Sequence, residues 1–384
     1  MTNTEKTHDD DVYWMGQALA MAQTALYSTA PNPRVGCIIV RNGQVLGSGA
    51  TQPPGQKHAE VVALEQARQH GREIRGATVY VTLEPCSYQG RTNPCVDALI
   101  QARPARVVIG MQDPNPRVAG RGVSALQQAG IAVTLGVSSE EALALNPGFV
   151  SRMVRGRPWV WLKMAASLDG YIALPNGESK WITGPVARAD GQHWRARSCV
   201  VLTGSGTVMA DNPLLNVRDI STPRQPIRAV VDTRFDTPED SRIFDGEPVW
   251  LFTCRPDAGK VERLAKRQVK VIDMPEIDGK VDLMAVLRWM AEQEINEVHV
   301  EAGARLSGAF LEANCVDELL LYLAPSLLGQ GIPMARMQPV NGIELAHRFE
   351  YRDIKEVAGD LRISVRHVAH WNELYQRAVQ QIEH

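Results

Sequence analysis

The sequence carries almost no net charge: 41 basic and 43 acidic residues are well mixed and leave −2. Without a basic stripe or tract it offers no electrostatic groove for a polynucleotide, so a small substrate is expected and no nucleic acid. No run of about 18 apolar residues occurs, which excludes an ordinary membrane-spanning helix. Six cysteines, two of them with another use, make a disulfide framework a poor reading. The N-terminal stretch M-T-N-T-E-K-T-H-D-D-D has the pattern of neither a signal peptide nor a transit peptide. A reducing cytoplasm is therefore expected. There is no internal repeat and no low-complexity segment. At 384 residues the chain exceeds one ordinary core. Two domains of roughly 150 to 220 residues are expected.

What the chain does have is His58, Glu60, Cys86 and Cys95 in the order H-A-E, P-C and a second cysteine, the pattern of a zinc deaminase. Two thiolates and a neutral imidazole offset the charge of Zn²⁺ and leave a fourth position for water, whose pKa falls to about 7 there. Glu60 reads as the proton carrier rather than a ligand, passing protons to a ring nitrogen and to departing ammonia. A structural site with Cys37 as fourth ligand is the rival reading. The eight residues between Cys86 and Cys95 argue against it, because structural sites favour close cysteine pairs. Cys199, Cys254 and Cys315 lie in apolar contexts and read as core.

Local patterns support this placement. After the turn at Pro53, Pro54 and Gly55, the stretch from His58 to Gln69 suits a helix. Residues Ala77 to Leu83, rich in β-branched types, read as a strand running into Cys86. Asn93 and Pro94 read as N-cap and first helical residue, which puts Cys95 where a helix dipole favours a thiolate.

Helical and extended signals alternate on both sides of a connector at Asn146 to Pro158, which predicts α/β architecture twice. The expected division is residues 1–146, a linker at 147–158, and residues 159–384. In the first part, a helix is expected over Val12 to Ser28 and strands near Val35 to Val40, Arg106 to Gly110 and Ile131 to Gly136. The second part shows seven extended runs from W-V-W-L-K-M-A-A-S to E-L-L-L-Y-L-A-P, and its tail after about His370 could be a short helix. It has no nucleophile constellation. Glycines at strand ends, Thr203 to Thr207 and Gly303 to Gly308, suit a pyrophosphate at a helix N-terminus, yet neither matches G-x-G-x-x-G.

Longer stretches carry a resemblance: P-N-P-R-V-G-C-I-I-V, Y-V-T-L-E-P-C-S-Y-Q-G-R-T-N-P-C, Q-D-P-N-P-R-V-A-G-R-G, K-M-A-A-S-L-D-G, G-E-S-K-W-I-T-G, T-V-M-A-D-N-P-L-L-N-V-R and V-E-A-G-A-R-L. In these the chain resembles the bifunctional riboflavin biosynthesis enzymes, a pyrimidine deaminase fused to a reductase. The resemblance implies a cytidine-deaminase-like α/β/α domain followed by a dihydrofolate-reductase-like α/β domain. It implies deamination of 2,5-diamino-6-ribosylamino-4(3H)-pyrimidinone 5′-phosphate, then reduction of the ribosyl chain to ribityl with NADPH. It also implies a homodimer through the reductase half. His58, Cys86 and Cys95 resemble the family's zinc ligands and Glu60 its proton donor. Ala165, Trp181, Thr207, Asp211, Thr233 and the turn Gly303, Ala304, Arg305, Leu306, Ser307, Gly308 and Ala309 match cofactor positions. Ser179, Arg195, Leu215, Arg218 and Glu301 match substrate positions, where guanidinium forks would suit a phosphate. Arg234, beside Thr233, is a guess for the cofactor's 2′-phosphate. Family members commonly have histidine at Thr51, Val62 and Tyr88 and proline at Asn93. The zinc donors are untouched by these departures, and an active deaminase is expected. Two alternatives follow: a reductase with a degenerate deaminase half, or a nucleoside or tRNA deaminase with an unrelated C-terminal module.

Overall fold

The computed structural model describes residues 3–88 and 93–379, with side chains from residue 8. Residues 89–92, inside one of the motif stretches, and 380–384 lie outside the described residues. The chain divides into two compact units, residues 1–155 with 372–384, and residues 156–371.

The first unit begins with α1 (Asn3–Gln23) and a hairpin of β1 (Gly36–Arg41) and β2 (Gln44–Ala50). Then come α2 (Ala59–Gln69), β3 (Thr78–Leu83), α3 (Cys95–Ala102), β4 (Arg106–Met111), α4 (Arg121–Gln128), β5 (Ala132–Leu135), α5 (Ser139–Leu145) and α6 (Pro147–Arg155). The sheet order is β2-β1-β3-β4-β5, with β1 antiparallel to both neighbours and β3, β4 and β5 parallel. One face buries Met15, Ile38, Val40, Tyr80 and Val108 with α1. On β2, a side chain at Gly47 would place its Cβ 2.2 Å from the Ala63 carbonyl of α2. The alanine face of α2, with Ala59, Ala63 and Ala67 all buried, thus needs a glycine-bearing strand beneath it.

The second unit holds nine strands in the order β11-β10-β9-β8-β14-β6-β15-β18-β17. They are β6 (Trp159–Ser167), β8 (Val200–Gly204), β9 (Ile227–Val231), β10 (Val249–Thr253), β11 (Val269–Asp273), β14 (Glu297–Glu301), β15 (Glu318–Ala324), β17 (Phe349–Val357) and β18 (Asp360–His367). Two short ribbons add β7 (Tyr171–Ala173) with β16 (Ile332–Pro333), and β12 (Glu276–Ile277) with β13 (Lys280–Val281). The helices are α7 (Pro185–Arg197), α8 (Ser205–Asp211), α9 (Ala258–Ala265), α10 (Leu283–Glu292) and α11 (Ala304–Glu312), and α12 (Val368–Ala378) begins here but from Asn372 belongs to the first unit. From β11 to β15 the strands run parallel, and β18 and β17 close the sheet as an antiparallel hairpin. A strand buried along its whole length, such as β8, opens on a continuous apolar run, as parallel strands do.

Three expectations change. The linker at 147–158 is mostly α6: Pro147 suits a first helical position, and Phe149, Val150 and Ser151 bury one side. Helix α1 starts at Asn3, earlier than Val12, and ends at Gln23. Pro94, not Asn93, holds the N-cap of α3, and the Cys95 N–H is met by the Cys86 sulfur at 3.3 Å in place of a capping oxygen. Among the described residues, no helix is long and apolar enough to cross a membrane.

Candidate functional site

Three local structures bring the expected metal donors together. His58 is the N-cap of α2, in extended backbone (φ −79°, ψ 165°) and without a side-chain capping bond. Cys86 follows the end of β3, and Cys95 opens α3. The Val96 N–H donates to the Cys86 carbonyl at 3.2 Å, closing the loop between the cysteines. His58 Nδ1 lies 3.5 Å from Cys86 Sγ and 3.2 Å from Cys95 Sγ, and all three donors fall within 4.8 Å of one another. Tetrahedral zinc with ordinary Zn–S and Zn–N bonds sets such donors about 3.5 Å apart. The residues therefore fit the ion. This is the one such group among the described residues. Cys37 is outside it, buried on β1 with its thiol pushed up by burial, so the four-ligand rival has no fourth ligand there.

The electrostatics suit a cation. The hydrogen bond from the Cys95 thiol, aided by the His58 ring, pulls Cys86 down to about 5. Cys95, which gives that hydrogen, is pushed up in turn, by the bond to Cys86 and by burial. A divalent ion between them would draw both to thiolates. Glu60, in the first turn of α2, is 3% exposed; burial first, then the charge of Cys86, pushes its carboxyl up to about 7. The carboxylate is placed to carry a proton beside the donors without being one of them.

In the second unit a charged group sits on the central strands. Lys163 of β6 is directly opposite Glu301 of β14, and Ala165 is opposite Tyr322 of β15. Residues two apart share a face, so Lys163, Ala165, Glu301 and Tyr322 point to one side. Arg195 of α7 grips Glu301 with a fork, Nε to Oε1 at 2.5 Å and Nη2 to Oε2 at 2.9 Å, while Nη1 donates to the Asn216 carbonyl at 2.9 Å. Burial alone would raise the Glu301 carboxyl, but the guanidinium holds it well below the usual carboxylate range. Burial pulls Lys163 down, against the Glu301 charge. The two glycine turns also meet: Gly204 caps α8, Gly303 caps α11, and the Gly303 N–H donates to Thr207 Oγ1 at 3.2 Å.

Two family models match different parts of the chain. The RibD C-terminal domain matches residues 158–360, and the cytidine and deoxycytidylate deaminase zinc-binding region matches residues 8–111. The riboflavin biosynthesis protein RibD of Escherichia coli K12 is 45% identical over 366 residues, covering 91% of this chain and 98% of the relative. The RibD protein of Haemophilus influenzae is 40% identical, covering 92% and 96%. Among solved structures, Acinetobacter baumannii RibD superposes with a TM-score of 0.85 at 42% identity, covering 94% of this chain and 99% of that one. The chain belongs to the RibD family. A Thermotoga maritima structure described as a diaminohydroxyphosphoribosylaminopyrimidine deaminase/5-amino-6-(5-phosphoribosylamino)uracil reductase gives a TM-score of 0.84 at 31% identity, covering 94% and 99%.

The positions carried over from the RibD resemblance fare unequally. Arg195 spends its fork on Glu301 and so does not offer it to a phosphate. Arg218 is exposed, with Asp219 at 3.6 Å. Leu215 lies in the core with Val201 and Val230. Ser179 and Trp181 lie in the loop before α7; Trp181 is 68% exposed beneath the Arg188 guanidinium at 4.1 Å. Asp211 ends α8 and pairs with Lys180 at 3.1 Å. Thr233 Oγ1 accepts from the Val281 N–H at 3.3 Å, and Arg234 is exposed and paired with Asp236. Ala304, Arg305 and Leu306 form the first turn of α11, whereas Ser307, Gly308 and Ala309 fall in its second. Ser307 is bonded to the Ala302 carbonyl. Of the departures, Thr51 is buried on the Val35 carbonyl and Tyr88 is 38% exposed. Lys163 was missed, although one lysine inside an apolar strand is a legible signal.

Proposed function

We propose that the two activities of this bifunctional riboflavin biosynthesis enzyme run on the residues placed above. In the first unit His58, Cys86 and Cys95 would hold Zn²⁺, which when bound would supply a water acidified to a pKa of about 7. Glu60 takes up the proton lost by the attacking water on a carboxylate oxygen, gives it to a ring nitrogen of the aminopyrimidine, and carries the next proton, from the added hydroxyl, to the amine that leaves as ammonia. The substrate is 2,5-diamino-6-ribosylamino-4(3H)-pyrimidinone 5′-phosphate, and water excluded around the buried Glu60 strengthens each of these contacts.

In the second unit the cofactor is NADPH, which supplies a hydride to the ribosyl chain. The capping turns at Gly204 and Gly303 present N–H groups to its pyrophosphate. Glu301, held ionised by Arg195, takes hydroxyl hydrogens of the substrate, and Lys163, its affinity for a proton lowered by burial, gives one to the sugar oxygen. Arg218 holds the phosphate. The protein works in a reducing cytoplasm, in keeping with six cysteines that form no disulfide among the described residues. It pairs with a second copy along β17, whose Tyr351 and Ile354 are 71% and 58% exposed on the edge of the sheet.

The observation that carries the reading is the approach of three donors to within 4.8 Å beside a buried carboxylate. Incubation with the diaminopyrimidine phosphate, zinc and NADPH, with products separated by mass, tests it. The expected product has lost an amine and gained the ribityl hydrogens. A product that keeps both amines would sink the deaminase half alone.

A further inference from the structure

The segment Q-D-P-N-P-R-V-A-G-R-G at 112–122 has no role in the account above, and the side chain it closes around is Glu84. Glu84 directly follows β3 and is 3% exposed. Its Oε1 accepts the N–H groups of Gly122 at 2.8 Å and Val123 at 3.2 Å. Its Oε2 accepts those of Gly120 at 2.9 Å and Asp113 at 3.2 Å. One carboxylate thus gathers four backbone donors from both ends of one loop, each bond strengthened by the charge. Gly122 also presses on the strand end, where a Cβ would stand 2.3 Å from the Pro85 carbonyl. At its other end the loop carries Asp113, 7% exposed and within reach of the charge on Cys86.

We infer that Glu84 is a positioning residue: its carboxylate fastens the 113–123 loop to the cysteine-bearing end of β3 and so shapes the pocket through which the aminopyrimidine reaches the metal donors. This rests on the deaminase reading above. The loop is a wall whose docking the substrate needs, and a chain with the loop undocked binds substrate only in its docked fraction, which raises the apparent KM. Glu84 touches neither substrate nor metal. Its effect therefore falls on binding and not on the chemical step.

Glu84→Gln keeps the shape but replaces one accepting oxygen by an amide nitrogen, so two of the four N–H groups lose their partner and meet hydrogens instead. The expected result is full zinc content, a deaminase KM raised about tenfold or more, and kcat within about threefold of the unmodified protein. Trypsin should cut after the exposed Arg117 and Arg121 at least about tenfold faster. Gly122→Ala, which displaces the same loop from its other side, should reproduce the pattern with Glu84 intact. Reduction by the second unit is the internal control. Unchanged tryptic rates in both variants, loss of zinc in Glu84→Gln, or a fall in kcat at constant KM would each overturn the role assigned to Glu84. Absence of ammonia release from the unmodified protein would sink the deaminase reading, and the tryptic comparison would still decide whether Glu84 anchors the loop.

Discussion

Replacing Arg195 by leucine isolates the buried ion pair at the centre of the second unit's charged group. Arg195 and Glu301 have side chains 10% and 15% exposed, and the guanidinium makes two contacts with the carboxylate and one with the Asn216 carbonyl. Solvent screening is slight at that burial. Removal of one partner leaves a buried carboxylate uncompensated, at a cost of about 3 to 5 kcal/mol. The sign of the pH dependence follows. In the unmodified protein the Glu301 carboxyl is held well below its usual range, so the pair stabilises the fold above the unfolded value of about 4.3 and ceases to do so as pH falls through the folded value. Without Arg195 only the His299 ring at 3.3 Å and the Lys163 charge still oppose burial, and the carboxyl rises. The variant then gains relative stability on acidification, and the gap between the two proteins narrows from pH 7 toward pH 4. Urea unfolding followed by tryptophan fluorescence measures this in the right place, because of the eight tryptophans only Trp14 lies outside the second unit. Arg195→Leu combined with Glu301→Leu should recover most of the stability, since apolar replacement of a buried pair is close to neutral, while reduction stays lost. A single variant within about 1 kcal/mol of the unmodified protein at pH 7, or a gap that widens toward acid, would refute the reasoning.

Glu60→Gln should lower ammonia release by about 10²- to 10⁴-fold, with zinc content and reduction retained; colorimetric ammonia and metal analysis decide it. Dialysis against a chelator should stop ammonia release yet leave reduction of the already deaminated substrate intact, and loss of both would tie the metal to the whole chain. Gly308→Ala should destabilise the second unit by about 1 to 3 kcal/mol, because its Cβ would stand 1.9 Å from the Arg336 carbonyl, a backbone atom that cannot rotate away. The same urea titration measures it.

Much of the architecture was legible where local chemistry and tertiary demand agree. β6 occupies the whole run W-V-W-L-K-M-A-A-S, since a strand covered on both sides is apolar almost throughout, Lys163 being the charged exception. β2 was illegible for the opposite reason. Its sequence Q-V-L-G-S-G-A has little β-propensity because Gly47 answers to α2, and that pressure comes from a helix twelve or more residues further on. The β17–β18 hairpin was missed too: β17 is exposed along most of its length and shows no alternation to detect. At the site, the spacing of His58, Cys86 and Cys95 named the donors, because metal chemistry restricts residue types severely. Arginine chemistry is less restrictive. Nothing in Arg195 as a letter distinguishes a phosphate holder from a clamp on Glu301; the difference is the register that puts β14 beside β6 and under α7.

The order of the two units along the chain has a practical side. From Asn372 onward the chain groups with the first unit, and there Arg377 donates to the Val154 carbonyl at 3.0 Å. A gene cut after Arg155 would therefore yield a front fragment deprived of that closing contact. Splitting the polypeptide into separately expressed catalysts works best with the last segment grafted back onto α6, a circular rearrangement rather than a simple truncation.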